Sequence, residues 1–178
     1  MSNKEKLGEI QKKIMDLGDK LGFKVEKEWS PESLKKERRQ DVYIPKIDVV
    51  WYKEMDKKFS SFLENVRGKM MNKINKKESF ENYLANILPK YRDPKIEIVI
   101  GFELELTDRP TKYILGDITN LSRMCDYGFI VITKRENLVK RSIKATIAFS
   151  LLHGASKVFV IDVDDLDDII KETLKNND

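Results

Sequence analysis

Glu103 and Glu105 stand two residues apart in the run Ile96 to Leu106, IEIVIGFELEL. In an extended strand that spacing sends both side chains from one face, with Cα atoms roughly 6.5 to 7 Å apart. Two like charges are thus held side by side, below a stretch of the same face that Val99 and Gly101 keep non-polar. A third acid, Asp48, interrupts the apolar run Ile47-Asp48-Val49-Val50-Trp51. A carboxylate in such a run is seldom buried without a partner or a cation. If the two runs form neighbouring strands, Asp48, Glu103 and Glu105 converge on one point. That all-oxygen set suits Mg²⁺ or Mn²⁺, which retain open positions for water and phosphate oxygens. Other chemically able residues have simpler roles. His153 closes an apolar helix, Cys125 follows another as core packing, and the acids from Asp162 to Asp168 open a helix, where negative charge suits the helix dipole.

The elements that must position these acids are legible in the periodicities. Leu7, Ile10, Ile14, Leu17 and Leu21 recur every three or four residues and predict a helix over 3–21, stopped at Gly22. Residues 23–29 alternate and predict a strand, with a turn at Ser30-Pro31-Glu32. Residues 42–52 predict a second strand, with Pro45 marking an edge or bulge near its start. Residues 54–95 read as a basic insertion with helices over 57–71 and 79–88. The strand 96–106 is expected to put Ile96, Ile98, Ile100, Phe102, Leu104 and Leu106 on one face, and Glu97, Val99, Gly101, Glu103 and Glu105 on the other. A turn at Thr107-Asp108-Arg109-Pro110 leads into a helix marked by Ile114, Ile118 and Leu121. Its polar face would hold Lys112, Gly116, Thr119, Asn120 and Arg123. Strand 128–133, helix 137–152 ending at Gly154, strand 157–162 and helix 164–174 complete the chain. Three early strands without long crossovers pair as an antiparallel meander, and later strands separated by helices pair in parallel. The expected fold class is α/β: one domain over 1–178, a mixed sheet flanked by helices.

The order αβββαβ, with Pro45-Lys46-Ile47-Asp48 on the second strand and Glu103-Leu104-Glu105 on the third, resembles the PD-(D/E)xK restriction-endonuclease-like superfamily. The resemblance covers Met1 to about Thr133, with the remaining βα units as additions. It implies metal-dependent phosphodiester hydrolysis, with Asp48 and Glu103 as ligands of Mg²⁺ or Mn²⁺ and Glu105 as a further ligand or base. This sequence departs from the family pattern at Glu105, where lysine is usual. Lys112, one turn into the next helix, is the candidate for a displaced cation.

Composition limits the partners. Hydrophobic residues make up 40% and charged residues 36%, enough for a core beneath a densely ionic surface. The net charge of +4 is divided as +7 over residues 1–95 and −3 over 96–178, so a polyanion is expected on the first half. Lys69, Lys73, Lys76 and Lys77 in the insertion, with Lys112 and Arg123, are the expected nucleic-acid contacts. A single cysteine excludes a disulfide framework and points to a reducing, cytoplasmic setting, and no apolar run is long enough for a membrane. The expected partner is nucleic acid, DNA before RNA. A homodimer would serve cleavage of both strands, though no heptad marks an interface. The alternative is a catalytically inactive nucleic-acid-binding or assembly protein on the same fold. An unrelated dinucleotide-binding domain ranks last, since no glycine-rich phosphate loop follows a strand.

Overall fold

The computed structural model describes residues 3–31, 45–62, 65, 95–133, 136–153 and 157–175. Its elements are α1 (Asn3–Lys20), β1 (Lys24–Trp29), β2 (Ile47–Glu54), β3 (Ile96–Glu105), α2 (Thr111–Met124), β4 (Tyr127–Ile132), α3 (Glu136–His153), β5 (Val158–Asp162) and α4 (Val163–Lys175). The chain is α/β, with one five-stranded mixed sheet in the order β1-β2-β3-β4-β5. β1, β2 and β3 pair antiparallel, while β3, β4 and β5 pair parallel. The meander and the parallel half are therefore as expected. Among the described residues no helix is long and apolar enough to cross a membrane.

Two apolar layers fix the helices to the sheet. Ile10, Ile14 and Leu17 of α1 and Leu166 of α4 pack with Val49, Trp51, Phe102, Leu104 and Val131 on one face. Ile114, Ile118 and Leu121 of α2 and Leu138 and Ala145 of α3 pack with Val50, Ile98, Ile130 and Ile132 on the other. The stop after α1 is a Schellman motif: Phe23 N–H donates to Gly18 O and Gly22 N–H to Asp19 O. Gly22 takes φ +81, where a side chain would be strained. At α4 the Asp162 carboxylate accepts the Asp165 N–H at 2.9 Å, so the acidic run caps the helix as its composition implies.

Two expectations need correction. β2 begins at Ile47, so Pro45 and Lys46 precede the strand and do not sit within it. A proline that cannot donate to the ladder is better placed there. β3 does not hold one unbroken apolar face. Trp51 pairs with Ile100 and Tyr52 with Ile98, leaving Val99 as an extra residue. A bulge of this kind reverses the alternation beyond it. Ile96 and Ile98 therefore join the α2 layer, whereas Phe102, Leu104 and Leu106 lie under α1 and α4. Glu103 and Glu105 consequently share their face with Ile98 and lie beneath α2.

Residues 57–62 are helical, with the Asp56 carboxylate accepting the Lys58 and Phe59 N–H groups. The rest of the helix expected over 57–71 apart from residue 65, the helix over 79–88, the strand start at 42–44, the stop at Gly154 and the lysines Lys69, Lys73, Lys76 and Lys77 lie outside the described residues.

Candidate carboxylate site

The acids gather where β2 begins and β3 ends. The regular β2–β3 register runs as far as the Val49–Phe102 pair. Beyond it, the Leu104 N–H donates to Asp48 Oδ2 at 2.8 Å. The aspartate thus takes up a strand N–H, and this bond holds it beside β3. Its carboxyl comes within hydrogen-bonding reach of Glu103. Glu103 and Glu105 are 7% and 3% exposed.

α2 adds an acid that the sequence reading missed. Asp117 reaches the Glu105 carboxyl and pairs with it. The signal was present: Asp117 falls three residues after Ile114 and four before Leu121, on the stripe that faces the sheet. Gly101 and Gly128 face each other across β3 and β4. A Cβ at Gly101 would meet Leu121 Cδ2 at 2.8 Å and Cys125 Sγ at 2.5 Å, and one at Gly128 would meet Leu121 Cβ at 2.6 Å. Two glycines in register therefore let α2 settle close on the sheet, one turn from Asp117. Glu28 was also missed. Its backbone is left-handed at φ 52, an uncommon state for glutamate, and its charge acts on both Asp48 and Glu103. Lys46 Nζ stands 4.0 Å from Glu28 Oε2.

Three of these acids hold buried oxygens without a hydrogen-bond partner: Glu103 Oε1, Glu105 Oε2 and Asp117 Oδ2. Lone pairs left in this state carry the full cost of desolvation. The proton affinities follow. Burial raises the Glu103 pKa well above the ordinary range, and the charges of Asp48, Asp117 and Glu105 add to it. Burial also raises Asp48, against the Leu104 N–H, and raises Glu105, against the Arg109 guanidinium. Asp117 is pushed up to about 7, first by burial and then by the Glu105 charge. A divalent cation would replace the missing protons and donors, and the donor set is of the hard oxygen type that Mg²⁺ and Mn²⁺ take. The acids stand as two pairs, Asp48 with Glu103 and Glu105 with Asp117. Among the described residues no three His, Cys, Asp or Glu side chains are grouped so that they could hold a metal ion together.

Of the expected site residues, the structure sets Asp48 beside Glu103, while Glu105, two residues along β3, is paired with Asp117. The cation beside Glu105 is Arg109, with Nη1 at 3.3 Å from Glu105 Oε1. Lys112 is exposed, its ammonium 5.2 Å from the centroid of the Tyr113 ring, and Arg123 is in the last turn of α2. On the polar face predicted for α2, Asn120 is instead buried. Burial raises the Cys125 thiol far above its usual range, in keeping with packing rather than reactivity. His153 lies against the Phe149 ring at 4.5 Å. Compared with protein-family models, curated proteins and solved structures, the chain matches none of them.

Proposed function

We propose that this chain is a metal-dependent nuclease of restriction-endonuclease-like fold that hydrolyses phosphodiester bonds, DNA before RNA. The observation that carries the reading is the pairing of Asp48 with Glu103 and of Glu105 with Asp117 on the α2 side of the sheet, with three buried carboxylate oxygens lacking a hydrogen-bond partner. The order α1-β1-β2-β3-α2-β4, with its antiparallel meander and parallel fourth strand, supports it. So does the position of the acids on the second and third strands. Asp48 and Glu103 would hold the ion, and the Leu104 N–H would keep Asp48 oriented. When bound, Mg²⁺ or Mn²⁺ would supply Lewis-acid stabilisation of a phosphate and an activated water. Glu105 and Asp117, a buried pair with raised proton affinity, would accept the proton released by the attacking water.

Binding without cleavage is the second reading. It is favoured by one feature, the acid Glu105 at the position where the family's lysine is usual, already neutralised by Arg109. Incubation of labelled double-stranded, single-stranded and branched DNA, and of RNA, with Mg²⁺ or Mn²⁺ separates the two. Cleavage by wild type that EDTA and Glu103→Ala abolish is the expected result. Intact substrates under every condition, with binding retained, would leave the binding module.

A further inference from the structure

Arg109 belongs to the exposed turn between β3 and α2, and its side chain is 54% exposed although the Glu105 side chain that it touches is 3% exposed. Its backbone is anchored from elsewhere: Arg141 Nη2 of α3 donates to the Arg109 carbonyl oxygen at 2.9 Å and also to the Asp108 carboxylate. The base of the arm is therefore held while the guanidinium reaches in from solvent. Its charge bears on Asp48, Glu105 and Asp117 alike. A divalent cation entering this cluster meets a positive charge that cannot be shed, because a guanidinium does not deprotonate in proteins. Movement of the side chain relieves the conflict, and the open direction is solvent, where the Arg109 side chain is already 54% exposed. There the guanidinium's paired N–H groups can hold a phosphate in the same bidentate fork that serves a carboxylate.

We propose that Arg109 is an exchangeable counter-ion, neutralising Glu105 when no divalent cation is present and driven by that cation onto a phosphate of the bound nucleic acid. The inference rests on the reading of the carboxylates as a divalent-cation site, and it adds a competitor and a phosphate clamp to it. Cation binding and nucleic-acid binding are thereby coupled through one side chain.

The test uses the whole chain, calorimetric titration with Mn²⁺ alone, and a fluorescein-labelled DNA duplex titrated with and without Ca²⁺. Arg109→Gln should bind Mn²⁺ about three- to tenfold more tightly than wild type, since one partly screened like charge is gone. Ca²⁺ should increase DNA affinity several-fold in wild type and much less in Arg109→Gln. Arg109→Lys, which retains the charge without the fork, should keep wild-type Mn²⁺ affinity and recover part of the Ca²⁺-dependent gain. Unchanged Mn²⁺ affinity in Arg109→Gln, or an undiminished Ca²⁺-dependent gain, would overturn the exchange while leaving the cation site intact. Failure of wild type to bind Mn²⁺, or equal binding by Glu103→Gln, would overturn the cation site itself and the exchange with it.

Discussion

At the scale of single residues, the metal-free cluster is a destabilising arrangement whose severity is set by pH. Glu103, Glu105, Asp48 and Asp117 all bind protons more tightly in the folded chain than free carboxyls do. Their contribution to stability is therefore fullest below the ordinary carboxylate range of about 4. It is lost as pH rises through the folded values, which for Asp117 means toward about 7. Asp117→Asn and Glu103→Gln remove that dependence at their sites. Denaturant melts at pH 5 and pH 8 should show each variant gaining on wild type at the higher pH, Asp117→Asn by about 1 kcal/mol or more, given a folded pKa of about 7 and about 1.4 kcal/mol per unit of pKa shift. Equal differences at both pH values would mean that folding does not raise the proton affinity of these acids. A companion expectation concerns the ion. At pH 8, Mn²⁺ at about a hundredfold excess over its dissociation constant should raise wild-type stability by roughly 2.7 kcal/mol. Glu103→Gln should show almost none of that gain.

At the scale of elements, the site depends on how closely α2 lies on β3 and β4. Gly101 and Gly128 make that distance short, because Leu121 fills the space that their side chains would occupy. Gly128→Ala should cost about 1 to 3 kcal/mol as an overpacked contact. It should also lift the Asp117 turn away from Glu105, so Mn²⁺ affinity measured by calorimetry should fall with stability. A comparable cost applied to the far layer provides the control. Gly18→Ala would press on Trp51 Nε1 at 2.7 Å between α1 and the sheet, and should lower stability while leaving Mn²⁺ affinity unchanged. Parallel losses of affinity in both variants would show that general loosening, not the seat of α2, controls the cluster.

At the scale of the molecule, the positive excess belongs to residues 1–95 and the acids of the site to β2, β3 and α2. The basic segment leaves the end of β2 and enters the start of β3, whereas Asp48 and Glu103 lie at the opposite ends of those strands. Neutralising Lys69, Lys73, Lys76 and Lys77 together should weaken DNA binding and reduce the slope of log affinity against log salt, by up to about 0.9 for each phosphate that is no longer neutralised. An unchanged slope would assign these lysines to solubility.

The sequence by itself determined the order of the described elements and the three strand-borne acids, because both rest on local pattern: periodicity separates helix from strand, and an acid within an apolar run declares itself without reference to the rest of the chain. It also determined the meander and the parallel half, since connection length limits how consecutive strands can pair. What only the tertiary structure decided depends on pairing across the chain. The extra residue at Val99 is invisible to alternation, yet it moves Ile96 and Ile98 to the α2 layer and leaves the acids beneath that helix. Asp117 became a site residue only when two facing glycines admitted Leu121, and Arg109 displaced Lys112 as the neighbouring cation because the turn, not the helix, reaches Glu105. These are interactions between segments distant in sequence or set by one loop's course, and a one-dimensional pattern contains no term for them.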